Sequence, residues 1–183
     1  MPIKISIPEK ELYDDDNEEF IYIKKQDISL EHSLVSLQKW EQRWKEPFLQ
    51  WTKSNTWEPE KLRDYIRCMT ITQNVDPNVY RCLSTTEINQ IVAYISDPMT
   101  ATTIRSSENH HSREIITAEI IYYWMIKFNI PQEYRKWHLN SLLMLIEVCG
   151  IKETPEKKRS QAEIANYHRQ INAANRAKFH SKG

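Results

Sequence analysis

Glycine is nearly missing: two residues, Gly150 and Gly183, in a chain of 183, where average usage would supply roughly a dozen. Tight hairpin turns, nucleotide-binding loops and nucleophile elbows depend on glycine for positive φ or close backbone approach. Its scarcity argues against most nucleotide-dependent and hydrolase chemistry and favours helices joined by Pro, Asn, Asp and Ser turns. Cysteine is sparse as well. Cys68, Cys82 and Cys149 show no Cys-x-x-Cys spacing, which fits reduced thiols acting as small hydrophobes, not a disulfide framework. No run of 18 apolar residues occurs, so no transmembrane helix is expected. The opening MPIKISIPEKELYDDD turns acidic where a signal peptide needs its apolar centre, so the chain is expected to stay in the cytoplasm of the cell that makes it. There is also no excess charge: Lys plus Arg equals Asp plus Glu at 25 each, unlike a dedicated nucleic-acid binder.

What is present is a folded-protein composition, 40% apolar and 27% charged, with charge polarised along the chain. Seven acids fall between Glu9 and Glu19 against one base, Lys10; eight bases against three acids fall between Lys152 and Gly183. Blocks of this kind are ordinarily solvated faces or tails. They also allow head-to-tail contact between copies, or capture of an acidic partner by the C-terminal tail.

The pattern predicts a mainly α protein: a compact helical domain of about six helices with a small N-terminal β-hairpin or strand pair. Residues 1–27 read as a β element with an acidic loop, because Ile3, Ile5 and Ile7 alternate with polar residues and Phe20–Ile23 is a short β-branched and aromatic run. The acidic stretch between them is expected to be an exposed loop. Residues 28–151 form the expected helical core domain. Ser29 is the predicted cap of a first helix carrying Leu30, Leu34, Leu37, Trp40 and Trp44, ended by Pro47. A second helix is predicted after Thr56, with Pro59 in its first turn, through Leu62, Tyr65, Ile66 and Met69. Ser84 and Glu87 form a capping box for a third, and Asp97-Pro98 stops it. Residues 97–111 read as a polar loop. Ser112 is the predicted cap of a helix over 113–129, and Pro131 begins another that ends with Gly150 at its C′ position. These last two, with Trp124, Met125, Trp137, Leu139, Leu142, Leu143, Leu145 and Ile146, are the expected centre of the core. Residues 152–183 read as a basic linker and a final helix, capped by Ser160 with Glu163, whose apolar stripe (Ile164, Tyr167, Ile171, Ala174) is thin.

Chemistry-bearing patterns are incomplete. Glu108-Asn109-His110-His111 holds one Glu-x-x-His, and His138 lies further on, whereas a di-iron bundle needs that motif twice with two more glutamates. A zinc hydrolase of the His-Glu-x-x-His type needs two histidines one turn apart. An HNH-type nuclease would need a strand pair before its helix. Cys149 sits on an apolar stripe and has no local base to activate it. Trp40, Trp44, Trp51 and Trp57 are interleaved with Lys39, Arg43, Lys45 and Lys53, residue types that also build stacking platforms for single-stranded nucleic acid. Trp40 and Trp44 continue the leucine stripe, however, so core or subunit interface is the simpler reading. The expectation is a non-enzymatic protein with no catalytic, cofactor or metal residues.

Several phrases resemble a known group. CMTITQNVDP (68–77), SREIITAEIIYYWMIKFNIP (112–131), KWHLNSLLMLIEVCGIK (136–152), the ending NAANRAKFHSKG and ISLEHSLVSLQKWEQRWKEPF (28–48) are similar to small proteins encoded among the tail genes of siphophages and prophages, the phage tail assembly chaperones. The resemblance spans about residues 20–183 and carries no catalytic signature. It implies a protein of the host cell cytoplasm that binds the tape-measure protein, and tail-tube subunits with it, during tail morphogenesis. Self-association into a homo-oligomer is compatible with it; membrane and nucleic acid are not expected partners. Trp44, Trp51, Trp57, Ile164, Tyr167 and Ile171 are the candidate partner-binding residues. A virion or head–tail structural component remains the alternative, and a nucleic-acid binder or nuclease a further one.

Overall fold

A computed structural model describes residues 2–14, 18–53, 57–104, 115–153 and 161–179. The N-terminus is a β-ribbon of four short strands. β1 (Ile3–Ile7) pairs antiparallel with β4 (Gln26–Leu30), and β2 (Lys10–Asp14) with β3 (Glu19–Ile23). Period-two alternation buries Ile5, Ile7, Ile28 and Leu30. The base of the ribbon is joined to the end of a later helix, where Glu31 N–H donates to Met69 O (2.8 Å) and Ile71 N–H to Ser29 O (2.9 Å). Toward the far end, Tyr13 faces Phe20 across the ladder with ring centroids 5.0 Å apart.

Much of the acidic stretch is therefore strand, not the expected exposed loop. Its acids are poor strand formers, but the cross-strand aromatic pair and half-buried Leu12 and Ile21 outweigh propensity. Lys10 also ties β2 to the helical part: its Nζ donates to Cys82 O (2.9 Å) and lies 3.7 Å from Glu87 Oε2.

Seven α-helices follow among the described residues: α1 (Leu34–Trp44), α2 (Phe48–Lys53), α3 (Pro59–Met69), α4 (Thr85–Ser96), α5 (Ala118–Lys127), α6 (Leu139–Glu153) and α7 (Gln161–Phe179). The first cap is Ser33, not Ser29. Ser36 N–H donates to Ser33 Oγ and Ser33 N–H to Ser36 Oγ, while Ser29 lies in β4. Leu30 mimics helical spacing from the end of a strand. Lys45, at φ 57°, ends α1, and Pro47 opens α2 by accepting from Trp51 N–H. Ser84 and Glu87 form the expected reciprocal box.

α5 is shorter than 113–129. Ile115-Ile116-Thr117 is non-helical, and three β-branched residues in succession disfavour helix. Ser112, its expected cap, lies outside the described residues, as does Ser160. A 3-10 turn (Gln132–Lys136) precedes α6, which runs through Gly150 instead of stopping there.

The core centres on α1, α2 and α3, not on α5 and α6. Trp40, Tyr65 and Phe48 are the largest fully buried side chains. Their rings interlock at 5.3 Å for Trp40–Phe48 and 4.0 Å for Phe48–Tyr65, and Trp51 stacks on Trp40 at 5.1 Å. α5 and α6 supply a flank through Ile121, Met125, Leu139, Leu142 and Ile146. Trp124, Leu143 and Leu145 are only half-buried, and Trp137 is 44% exposed.

The expectation that Trp137 is core is therefore corrected. Trp137→Ala should shift stability by less than about 1 kcal/mol, as for surface substitutions. Leu142→Ala should cost roughly 2–3 kcal/mol. Urea midpoints of the two variants check this; a Trp137 variant as unstable as the Leu142 variant would contradict the placement.

The chain divides into two units, 1–150 and 151–183, the second beginning in the last turn of α6. In the second unit α7 spans 19 residues, and its Tyr167 and Ile171 are exposed.

Candidate partner-binding groove

The segment after α4 is fastened to the start of α6 by side chains. Asn140 Nδ2 donates to Ile95 O (3.0 Å) and Asp97 O (2.7 Å), and Ser141 Oγ donates to Met99 O (2.8 Å). Within the segment, Met99 N–H donates to Asp97 Oδ1 and Thr102 N–H to Thr100 Oγ1. Met99 itself stands at φ 48°, a strained backbone for a non-glycine residue. The loop is thus a built wall.

Between this wall and α6 lies a cavity of about 620 Å³. Its α6 side is the stripe Ser141, Met144, Leu145 and Val148, at the three- and four-residue spacing that shares one helix face. Met99 and Trp137 complete the apolar lining, and Glu31 and Lys136 add one charge of each sign. Trp137 stacks nearly parallel on Tyr134, centroids 4.0 Å apart; the partner ring holds its half-exposed indole in place.

His138 also lines the groove. Its Nε2 donates to Tyr94 O (3.0 Å), and its ring meets Tyr94 edge-on at 4.9 Å and His32 at 5.0 Å. His138 Nδ1 is buried and has no hydrogen-bond partner among the described residues. His32 Nδ1 is bonded to the Tyr65 hydroxyl. Burial, with His138 adding to it, lowers the His32 pKa to about 3, and burial lowers that of His138 too. Both rings are neutral at pH 7. A base of that strength is poorly matched to general-base chemistry near neutrality, so His32 reads as a structural residue.

The residues expected to bind a partner fall in both units, three in each, and differ in burial. Trp51 is 8% exposed and belongs to the aromatic core, which removes it from a binding surface. Trp44 and Trp57 are half-buried against that core. Trp44 is further engaged by Asp64, which accepts its Nε1–H at 2.9 Å. Ile164 falls within α7, but its side chain lies outside the described ones. Tyr167 and Ile171 are 48% and 38% exposed on the same helix.

The Glu108–His111 motif lies outside the described residues. Burial pushes the Cys68 thiol up to about 11, helped by Asp64, and raises Cys82 as well; neither is a poised thiolate. Among the described residues no group of three His, Cys, Asp or Glu side chains could hold a metal, and no helix is long and apolar enough to cross a membrane.

The groove is not visible in the sequence. There Leu145 and Trp137 read as core, and only the polar Asn140-Ser141 pair at the head of that apolar helix hints that something else docks there. Comparison with protein-family models, with curated proteins and with solved structures finds no match for this chain.

Proposed function

We propose that the chain is a non-enzymatic binding protein that holds an apolar helix of another protein in the groove between the 97–104 segment and α6. The observation that carries this reading is the exposed, pre-positioned Trp137 in a cavity flanked by Met99 and Met144. An amphipathic helix lays anchors at i, i+3, i+4 and i+7 into such a groove, and methionines adapt to irregular anchors. A tryptophan kept half-exposed by a stacked tyrosine is typical of the residues that dominate protein interfaces. The resemblance to phage tail assembly chaperones names the partner: the tape-measure protein, bound in the host cytoplasm during tail morphogenesis.

Co-expression with a tape-measure protein from a siphophage tail gene cluster, followed by pull-down, tests the reading. The full chain should retain the partner or raise its solubility. Trp137→Ala should weaken retention by about tenfold or more while leaving the fold intact. Absence of retention by the full chain would sink the chaperone reading, and a structural role in the virion would become the better account.

A further inference from the structure

A second cavity, about 550 Å³, opens between α1, α3 and the 3-10 turn at Pro77–Tyr80, and its lining is of a different kind. Four arginines reach it: Arg43 from α1, Arg63 and Arg67 from α3, and Arg81 after the turn. The acids present are Glu60 and Asp64. Asp64 is already committed, accepting from Arg43 (2.7 Å) and from Trp44 Nε1 (2.9 Å). The neutral balance of the whole chain is thus broken here in favour of positive charge.

Arg63 adds a specific sign. Its Nε is buried and donates to no group among the described residues, a costly state for a charged donor. Arg67 stands one helical turn away on the same face of α3, exposed, so two guanidinium forks with unused donors border one cleft. Such forks match the tetrahedral oxyanion of a phosphate with paired N–H bonds.

The aromatic residues of the cleft decide what kind of phosphate ligand fits. Trp44 is engaged by Trp40 (centroids 6.2 Å apart) and by Lys61 (Nζ 5.5 Å from its ring). Tyr80 is 8% exposed, its hydroxyl donating to Thr70 Oγ1. Neither ring is free to stack on a base, as single-strand recognition requires.

We propose that this cleft binds the phosphate group of a small phosphorylated ligand, held by Arg63 and Arg67. The proposal does not depend on the partner-binding reading. Titrating the full chain with inorganic pyrophosphate at constant ionic strength, read by calorimetry, tests it. The expected result is one site per chain, weakened about tenfold or more in Arg63→Gln and in Arg67→Gln, and unchanged in Lys24→Gln/Lys25→Gln on the exposed ribbon. Arg67 is exposed, so its variant keeps the test decisive if the Arg63 variant folds poorly.

A single-stranded oligonucleotide and a polyglutamate peptide serve as the other arms. Tighter, Arg67-dependent binding of the oligonucleotide, or Arg67-dependent binding of the peptide alone, would overturn the small-ligand assignment. Failure of pyrophosphate to bind, or equal binding in all variants, would overturn the site altogether.

Discussion

Glu41→Ala should destabilise the protein by roughly 3–5 kcal/mol, because it strips the acceptor from two buried backbone donors at once. Glu41 lies on α1 and is 9% exposed. Its Oε1 accepts Phe48 N–H, the first residue of α2, at 2.9 Å; its Oε2 accepts Ala118 N–H, the first residue of α5, at 2.8 Å. Thr117, the N-cap of α5, makes no side-chain bond to its helix. One carboxylate therefore supplies what two separate caps would, placing negative charge where two helix dipoles favour it.

Burial still wins the local balance. It raises the Glu41 pKa, although the bonds from Ala118 and Phe48 pull the other way and nearby Glu119 adds to the rise. The contribution tied to this rise is full below the ordinary value of 4.5 and declines as pH rises through the folded value. Glu41→Gln keeps one acceptor but turns an amide N–H₂ toward the other donor, so it should cost less than alanine, about 1–3 kcal/mol. Urea denaturation of both variants gives the ranking. A glutamine variant as damaged as the alanine variant would show that charge, not the pair of bonds, is what matters there.

The pH dependence of the intact protein should run in the opposite sense at mildly acid pH, with His32 the main cause. Its folded pKa of about 3 lies well below the ordinary 6.5. Above pH 6.5 neither folded nor unfolded chain binds this proton and the full contribution is present. As pH falls, the unfolded chain is protonated first, so stability is lost progressively until the folded pKa is reached. One proton withheld across one pH unit is worth about 1.4 kcal/mol, so the loss between pH 7 and pH 4 is on the order of 3 kcal/mol.

His138, lowered in the same direction, adds to it. Packed around the pair are the hydroxyl of Tyr65 from α3 and the ring and carbonyl of Tyr94 from α4; Asp97, just after α4, favours the charged form of His138, but burial outweighs it. His32→Gln should flatten the stability–pH curve below pH 6.5. If wild type and variant lose stability in parallel on acidification, His32 is not the cause.

Most helices are legible in the sequence because their signals are local. Ser84 with Glu87 states a helix start on its own, and Pro59 with the Leu62–Met69 stripe states another. The errors fall where a distant residue decides. α5 begins at Ala118, after the β-branched run Ile115–Thr117, where Glu41, 77 positions earlier, takes its first N–H; nothing near residue 118 announces that acceptor. Sequence points to α5 and α6 as the core because they hold the densest runs of apolar residues. Burial is instead set by what packs on both sides of an element, and α1 lies among α2, α3 and α5. For the same reason the four tryptophans between 40 and 57 cannot be sorted from sequence into core and surface: Trp40 and Trp51 are inside, Trp44 and Trp57 at the margin. The groove requires knowing that Asn140 and Ser141 reach back to residues 95–99, a tertiary fact with no periodic signature.

The β-ribbon carries a rule about chain length. In both of its ladders the residue numbers of each pair add to the same total, from Ile3 with Leu30 to Asp14 with Glu19. The two ladders are therefore one hairpin, interrupted at Pro8-Glu9 on one strand and Lys24-Lys25 on the other, with its phase kept across the break. A residue inserted on one side alone would put the ladders out of step, and a slip of one position turns a strand's inward residues outward. A matched insertion of two residues on each strand at the interruption lengthens the ribbon while buried Ile23 beyond it keeps facing inward with the isoleucines at its base. Length variation in this region should come in such matched pairs or be confined to the tip.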